Sequence, residues 1–392
     1  MNRNVWLLFC CQALMNAVMS GQVVMASLVG RHLAVNQALV TLPMAIQMLG
    51  VMAGSIPARI VFSRLGRRPG FWLGVGVSLF GSLSFALGIW RSDFLIYCLA
   101  AIPAGMGFGI SQHFRFAAAE IAAVEARPRA IALVMTGGVV AAVVGPEIVK
   151  RTNMLVPDFQ FLGTYLTLLV LPALCAGLLC FIRLPPAPER ITVGVPLRDI
   201  IARPAFLTAV IAGVVGYGSM NLVMSSTPLQ MAICGFGVGA SADVIRAHSI
   251  AMFLPGFLTG RLIQRFGPHP IILAGAVLTG LCVIVDIGFD PFFGTFIVGL
   301  MLLGVGWNGM FVGATALLAS AHDPAERVRV QTANDFIVFG TVAVTALASG
   351  AIESTAGWTM LNLSVVPGLI VAFALVTWHM VARFHREPVL AE

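Results

Sequence analysis

The chain has 392 residues, of which 59% are hydrophobic and only 10% are charged, with a mean hydropathy of +0.96. A water-soluble domain has no means of covering so much apolar surface, so the composition excludes a soluble protein and predicts that lipid is most of the solvent. The formal net charge is +7, but the arginines fall in short clusters between apolar runs. This placement favours a membrane surface over nucleic acid as their partner.

The first apolar run covers residues 5–29 and follows a single arginine, Arg3. It is longer than the apolar core of a cleaved signal peptide, and no A-x-A site follows it, so it is predicted to be the first membrane span. A helix needs about 20 apolar residues to cross a bilayer core, and twelve runs qualify. In chain order they are residues 5–29, 37–57, 70–90, 94–122, 130–149, 162–183, 205–229, 243–263, 270–289, 292–319, 330–351 and 359–382.

The longest connection, around residues 185–204, joins the sixth and seventh spans and divides the chain near its middle. With the N-terminus placed in the cytoplasm, 17 of the 23 Lys and Arg residues fall on the cytoplasmic side and four on the outer side. Such an excess predicts that both termini are cytoplasmic. The seven cysteines show no CxxC or zinc-ligand spacing, so we expect neither disulfides nor a metal site.

Three short patterns recur at an offset of about 200 residues, each at the same place in its half. The stretch "SRLGRR" after span two corresponds to "QRFGPH" after span eight, and "GMGFG" in span four corresponds to "GVGWN" in span ten. Arg127-Pro-Arg129 and Arg327-Val-Arg329 follow spans four and ten. Three matches at one offset predict two similar six-helix halves, a plan that transporters use around a central site.

The loop after span two, "RIVFSRLGRR", resembles the G-x-x-x-D-R-x-G-R-R signature of the major facilitator superfamily. A second copy follows span eight as "GRLIQRFGPH". Ser63 and Gln264 stand where the family has an acid that helps to latch neighbouring helices. The matching residues are Arg64, Gly66, Arg67 and Arg68 in the first copy and Gly260, Leu262, Arg265 and Gly267 in the second.

This resemblance covers the whole chain and implies the fold of the family. We expect an all-α integral membrane protein with twelve transmembrane helices in two pseudo-symmetric six-helix bundles, residues 1–184 and 205–392, and a cytoplasmic linker, residues 185–204. The bundles rock about a shared cavity, and spans three, six, nine and twelve face lipid. The family also implies a monomer in the bacterial cytoplasmic (inner) membrane, a small-molecule substrate, no cofactor, and a proton or other ion gradient as energy source.

Span five carries Gly137, Ala141, Gly145 and Pro146, which are similar to the antiporter motif of the family without its trailing Gly-Gly. Small residues four apart also let two helices pack closely, and this simpler interpretation stays open. The arginine that drug–proton antiporters carry in span four would fall at Ala101 and is absent. The first feature favours efflux, and the second argues against it.

Polar side chains near the middle of spans predict a solute site, because hydrocarbon strongly penalises an unsatisfied polar group. Spans three, six, nine and twelve have no Asn, Gln or His near their middles. The alternative, that an amide only bonds a neighbouring helix, stays open for any single residue. Aromatic and amide walls with few charges favour a neutral or amphipathic organic solute. The predicted cavity residues are Asn16, Gln47, Tyr217, Asn221, His248, Trp307 and Asn308.

Charged residues inside the spans predict two gates. Arg115, in the stretch "QHFRFAAAE", lies on the helix face opposite His113 and at a depth similar to that of Asp335 in span eleven. Spans four and five of the family close against ten and eleven on the cytoplasmic side, so we expect Arg115 and Asp335 to meet there. Glu147 and Arg246, near the outer ends of spans five and eight, are expected to form the equivalent outer pair. Snorkelling of Arg115 to the membrane interface is the alternative.

A proton-coupled carrier needs a group that changes its protonation between states. His113 and Glu120 are seven residues apart and share one helix face. A histidine titrates nearest to neutral pH, which favours His248, although a histidine that simply bonds two helices is an equal alternative. Asp243 and Asp286 lie near outer span ends and are expected to be solvated. The candidates by depth are His113, Glu120, Glu147, His248 and Asp335.

Secondary active transport by alternating access is the function that these features favour. Its direction stays open between proton-coupled efflux, which we favour, and proton-coupled uptake of a nutrient or cofactor precursor. No G-x-x-x-x-G-K-[ST] loop occurs, so ATP is not the direct energy source. An intramembrane enzyme is disfavoured because neither H-E-x-x-H nor G-x-S-x-G occurs. A non-transporting membrane receptor is the third interpretation.

Overall fold

A computed structural model describes residues 3–123, 127–184, 199, 201–319 and 327–384. Apart from a 3-10 turn, Gln37–Leu39, the regular elements are α-helices, and no strand occurs in this part of the chain. The all-α prediction is therefore confirmed. The helices with described bounds are α1 Arg3–Leu33, α2 Leu42–Arg64, α3 Arg67–Trp90, α4 Phe94–Ser111, α5 Phe114–Ile121, α6 Arg127–Thr152, α7 Leu162–Leu168, α8 Val170–Cys180, α9 Pro204–Ile233, α10 Val238–Phe253, α11 Gly256–Phe266, α12 Pro268–Gly288, α13 Phe293–Ala319, α14 Arg327–Leu363 and α15 Val366–Phe384.

Ten helical stretches of the described residues are long and apolar enough to cross a membrane. The predicted eighth span is not among them, because the chain breaks at Pro255 into α10 and α11, as proline disfavours a continuous helix. Predicted spans eleven and twelve are counted as one stretch, although the chain bends between them at Gly357, whose φ of +79° is not helical. Shorter breaks follow Ser111 in span four and Leu168 in span six. The molecule is thus a multi-pass membrane protein.

The internal repeat reappears in the way that helices pack through glycine. A methyl group added to Gly107 of α4 would lie 2.6 Å from the backbone nitrogen of Ser78 in α3. A methyl group on Gly306 of α13 would lie 2.9 Å from the nitrogen of Thr279 in α12. The two glycines are 199 residues apart and their partners 201. The sequence offset therefore also relates the close helix contacts of the two halves.

Both copies of the loop motif turn through a glycine with positive φ. Gly66, at φ +90° and ψ 175°, separates α2 from α3, and Gly267, at φ +80° and ψ 169°, separates α11 from α12. This region of the backbone map is strained for any residue with a Cβ atom. The glycine of the motif is therefore required by the backbone at both turns.

Among the described residues, the two halves meet most extensively along three helix pairs, α1 with α9, α2 with α14, and α6 with α10. We call the face at which α1 ends and α2 begins the outer face, after the predicted orientation, and the opposite face the inner face. The Gly350 amide of α14 donates to Thr41 Oγ1, just before α2, at 3.0 Å. This hydrogen bond and the ion pairs of α6 with α10 join the halves towards the outer face.

Helices α3, α8, α12 and α15 belong to the spans that are predicted to face lipid. Each exposes a large apolar side chain by more than half of its surface, namely Phe80 (64%), Leu174 (53%), Ile284 (59%) and Ile370 (63%). Large apolar side chains exposed to this extent are unfavourable in water. These side chains are therefore available to contact acyl chains.

Candidate functional site

Several predicted cavity residues bond within their own half. Asn308 of α13 donates to the Met252 carbonyl of α10 at 2.7 Å. Asn221 of α9 donates to the Val342 carbonyl of α14 at 3.0 Å. Both side chains are buried. Their geometry matches the alternative in which an amide joins neighbouring helices.

Gln47 and His248 occupy equivalent places in the two halves. The carbonyl oxygen of each packs against a glycine of a neighbouring helix, Gly105 of α4 and Gly304 of α13 respectively. The Gln47 amide donates to a glutamine side chain of α1 at 2.5 Å, and His248 Nδ1 lies 2.7 Å from a backbone carbonyl oxygen of α13. His248 has no exposed surface. The structure thus gives it a bond between helices, and its part in proton coupling stays a prediction.

Three amide side chains of the first half form what we call the amide cluster, namely Gln12, Asn16 and Gln112. Asn16 Oδ1 accepts from Gln12 Nε2 at 2.8 Å and from Gln112 Nε2 at 3.3 Å. Asn16 and Gln112 are half-buried, whereas Gln12 is buried. Sequence analysis missed Gln12 and Gln112, although the i,i+4 spacing of Gln12 and Asn16 within an apolar run is a signal for the former.

The second half carries an aromatic cluster instead, formed by Tyr217 of α9, Trp307 and Phe311 of α13, and Phe339 of α14. The Trp307 and Phe311 rings stack with centroids 5.1 Å apart and planes 15° apart. Tyr217 meets both rings edge-on, at 5.5 and 5.2 Å, and lies 5.8 Å from Phe339. The structure therefore brings the predicted Tyr217 and Trp307 together and adds two phenylalanines.

The two clusters are linked through α6 and α10. Gly137 of α6 packs against Ala13 of α1, where an added methyl group would lie 3.0 Å from the Ala13 nitrogen. A methyl group on the adjacent Gly138 would lie 3.2 Å from the Phe253 ring of α10. That ring is 6.1 Å from the ring of Trp307. Ala13 follows Gln12 in the chain, so this series of contacts connects the surroundings of the two clusters across the halves.

The small residues of span five serve this close approach. Besides Gly137, Gly145 of α6 packs against α1, and a methyl group there would lie 2.7 Å from the Ala17 carbonyl oxygen. Ala141 between them is buried, and Pro146 lies inside the helix. These contacts agree with the helix-packing interpretation of the motif.

Five charged side chains form what we call the outer charge network across α6 and α10. Arg246 donates to Glu147 at 2.8 Å, and Lys150 donates to Asp243 at 2.9 Å, so two ion pairs join the halves. Arg246 also pairs with Asp243, and Arg151 with Glu147 at 2.6 Å, within single helices. The structure thus brings the predicted pair together. Asp243, expected to be solvated, has two cationic partners.

Arg115 lies in α5, beyond the break that follows α4. Its Nη1 is 3.7 Å from Met135 Sδ of α6, and its guanidinium group lies 4.8 Å from the centre of the Phe116 ring. Asp335 lies on α14, but its side chain is outside the described part of the structure. The predicted inner pair of Arg115 and Asp335 stays a prediction.

The loop motif of the first half contacts the other acid of "QHFRFAAAE". Arg67 forms an ion pair with Glu120, in which Arg67 Nε donates to Oε2 at 3.0 Å. Its guanidinium group lies 5.1 Å from the centre of the Phe62 ring, which is 5.2 Å from the ring of His113. His113 and Glu120 therefore share one cluster, as their common helix face predicts. Glu120 gives the motif an acidic partner although Ser63 replaces the acid of the motif.

The other motif residues have separate environments. Arg68 Nη2 donates to the Cys180 carbonyl at the end of α8 at 3.2 Å. Arg64 is exposed at the end of α2, and the Arg265 guanidinium group lies 5.2 Å from the centre of the neighbouring Phe266 ring. Gly260 has open space where a Cβ atom would lie. Its presence in α11 is explained by nothing in the structure.

Two buried carboxyl groups lie outside these clusters. Asp286 is 5% exposed and accepts from Cys282 Sγ at 3.5 Å, so the expectation that it is solvated is wrong. The close packing of α12 on α13, with Gly299 against the carboxyl group, covers it. Glu353 of α14 is 6% exposed, although the polar residues around it in the sequence suggest a span end.

A family model described as Major Facilitator Superfamily matches residues 8–245 and 238–391. Riboflavin transporter RfnT of Brucella anthropi is 40% identical over 379 residues, which are 95% of this chain and 94% of that protein. A POT family transporter solved in complex with 5-aminolevulinic acid has a TM-score of 0.74 at 12% identity, over 97% of this chain and 96% of that chain. A D-xylose–proton symporter has a TM-score of 0.73 at 13% identity, over 96% and 95%. Since the family matches cover both halves, and the fold and loop motif agree with them, the chain belongs to the major facilitator superfamily.

Proposed function

We propose that this protein is a secondary active transporter that takes up riboflavin or a closely similar planar heteroaromatic solute. The observation that carries the proposal is the 40% identity to riboflavin transporter RfnT over 95% of this chain. The aromatic cluster supports it, because stacked Trp307 and Phe311 with an edge-on Tyr217 offer ring faces and edges to a flat solute. The two clusters contain no charged residue, which agrees with a neutral solute.

Uptake is favoured over the efflux that span five suggests. Riboflavin is a precursor of flavin cofactors, so it falls in the class of nutrients and cofactor precursors that the uptake alternative names. The glycines of span five are accounted for by their packing against α1. The absence of the antiporter arginine at Ala101 argues in the same direction.

We propose that the transporter consists of two six-helix bundles, residues 1–184 and 205–392, joined by a linker, residues 185–204. The duplicated glycine contacts support two related bundles, and the excess of Lys and Arg on one side supports cytoplasmic termini. The protein then works as a monomer in a bacterial cytoplasmic membrane, with its outer face towards the outside. An ion gradient drives it without a cofactor.

Alternating access follows when the bundles rock and the outer charge network opens. The side chains of its two ion pairs between the halves are 26–41% exposed. Pairs as exposed as these are weak, so they can be made and broken within one transport cycle. Arg115 and Asp335 are the proposed counterpart at the inner face.

We also propose that transport of the solute is coupled to the movement of protons. Glu120 and Glu147 are each paired with an arginine, and protonation of either carboxylate would release that arginine. Both pairs join different helices, so their release would change how helices are held together. The candidate carriers are His113, Glu120, Glu147, His248 and Asp335, and of these the proposal relies on the two paired glutamates, because His248 already bonds between helices.

Flux through proteoliposomes tests the proposal directly. With the purified protein reconstituted and the outside made acidic, we expect labelled riboflavin to accumulate in vesicles above its outside concentration, and a protonophore to abolish the accumulation. Vesicles without protein and labelled xylose serve as controls. Export of riboflavin from preloaded vesicles, driven by the same pH gradient, would favour efflux. Binding without any movement would favour the receptor interpretation.

A further inference from the structure

Among the buried side-chain atoms of the described residues that have no hydrogen-bond partner, two belong to the amide and aromatic clusters, one in each half. They are Gln12 Oε1 of the amide cluster, an acceptor, and Trp307 Nε1 of the aromatic cluster, a donor. Gln12 is 1% exposed and Trp307 is 7% exposed. Buried polar atoms in native proteins are almost always hydrogen-bonded. Each atom therefore has a hydrogen-bonding capacity that the described residues leave unmet.

The two atoms lie in surroundings of different chemistry. Trp307 Nε1 belongs to a set of rings, which suits a planar heteroaromatic group with an acceptor at its edge. Gln12 Oε1 belongs to a set of amides that offers donors and acceptors without any charge, which suits hydroxyl groups. One solute with both kinds of group would match both clusters.

The helices that carry Asn16 and Tyr217, α1 and α9, contact each other where the two halves meet. Asn16 and Tyr217 are 201 residues apart, so they occupy equivalent places on the first helix of each half. Between them, Gly138 of the first half packs against Phe253 of the second, whose ring neighbours Trp307. A solute at this contact has amides on one side and rings on the other.

We infer that the solute lies across the contact between the halves, with its planar ring on the aromatic cluster and its neutral polyhydroxyl chain on the amide cluster. This inference rests on the proposed function and deepens it. Trp307 Nε1 donates to an acceptor at the ring edge, and Gln12 Oε1 accepts from a hydroxyl of the chain. A phosphate on that chain would meet no cation in the amide cluster, so the site discriminates against phosphorylated flavin.

Binding of two flavins to the purified protein in detergent tests the orientation. Riboflavin carries both groups, whereas lumiflavin has the same ring with a methyl group in place of the chain; quenching of flavin fluorescence reports binding of each. Gln12→Met removes the amide at similar size, and Trp307→Phe removes the N–H donor. Trp358→Phe, near the outer end of α14, is the matched control.

We expect Gln12→Met to weaken riboflavin binding about tenfold and to leave lumiflavin binding unchanged, as loss of one buried hydrogen bond predicts. Trp307→Phe should weaken both flavins about tenfold, and Trp358→Phe neither. Riboflavin phosphate should bind far more weakly than riboflavin. Thermal unfolding of each variant separates a lost contact from a lost fold.

The outcomes separate this inference from the proposed function. If the wild-type protein binds neither flavin, the proposed function fails and the inference fails with it. If both flavins bind but Gln12→Met weakens them equally, or Trp307→Phe spares lumiflavin, the solute is a flavin and the orientation is wrong. Equal affinity for riboflavin and its phosphate also overturns the orientation.

Discussion

The first and second halves of this transporter pack alike and differ in the side chains around the contact between them. Gly107 and Gly306 make equivalent contacts with the preceding helix, and Gly66 and Gly267 make the same turn. Asn16 and Tyr217 occupy equivalent places, yet one belongs to a cluster of amides and the other to a cluster of rings. A glycine at a tight helix contact has no substitute of similar size, whereas a side chain beside the solute can change with the solute.

A second pair of equivalent positions shows how the halves diverge without a change of architecture. Gly109 of α4 packs directly on the Val51 carbonyl of α2. At the equivalent place, Asn308 of α13 donates a hydrogen bond to the Met252 carbonyl of α10 at 2.7 Å. In the first half, the small glycine lets the two helices approach closely. In the second half, a hydrogen bond from the asparagine side chain joins them. Similar helix positions therefore need not keep similar residues.

The largest effect is expected where the shared scaffold is tightest. Gly105→Leu and Gly304→Leu each drive a side chain into a backbone carbonyl of the neighbouring helix, that of Gln47 and that of His248. Overpacking of this kind should lower the free energy of unfolding by about 3 kcal/mol or more. Thermal unfolding in detergent and the monodisperse fraction after size exclusion measure the loss.

Matched controls for these variants lie on the exposed sides of α3 and α12. Gly76→Leu and Gly280→Leu place the same side chain where no atom lies within 4 Å of the new Cβ atom, so stability should be unchanged. If these controls unfold as readily as the contact variants, helix packing through glycine is not what the two halves share.

The turn glycines should show a smaller effect, equal in the two halves. Gly66→Ala and Gly267→Ala force a Cβ atom into strained backbone at φ +90° and +80°, which costs about 1–3 kcal/mol. Thermal unfolding measures both, with Gly260→Ala as the control in ordinary helix. A clear loss in one half only would mean that the two loop motifs do not have the same structural role.

The contact between the halves can be broken at its outer side. Arg246→Glu places a third acid beside Glu147 and Asp243, so riboflavin uptake into proteoliposomes should fall about tenfold or more. Glu147→Arg combined with Arg246→Glu should recover part of the uptake, because the pair between the halves is restored while Asp243 still repels the new acid.

Arg151→Ala is the control for this network, since Arg151 pairs with Glu147 inside one helix and is 76% exposed. It should leave uptake nearly unchanged. If the double charge exchange is as inactive as the single variants, the outer charge network does not act as a gate.

The smallest effect is expected at His248. A glutamine amide can donate to the backbone carbonyl oxygen of α13 that lies beside His248 Nδ1, so His248→Gln should keep riboflavin uptake within about twofold. Proteoliposomes with and without a pH gradient measure it. Loss of gradient-driven accumulation with intact riboflavin exchange would instead make His248 the proton carrier.

The candidate site was predictable in part. Tyr217 and Trp307, which are in contact, could be predicted because both are aromatic residues near the middle of a span. The pair of Glu147 and Arg246 could be predicted because the depth of each residue in its span can be counted from the sequence. The depth of a residue in its span does not show, however, in which direction its side chain points around the helix axis. Asn221 and Asn308 therefore bond to helices of their own half, and Phe311 and Gln112 were missed.

The sequence by itself determined the solvent, the approximate spans, the duplication and the family, because these depend on composition, run length and recurring short motifs along the chain. The tertiary structure decided which polar groups form hydrogen bonds within their own half and which have an atom without a hydrogen-bond partner among the described residues. Gln12 and Gln47 look alike in the sequence, yet only one has an atom without a partner. That difference arises from how neighbouring helices are rotated against each other, which side-chain packing over the whole molecule sets.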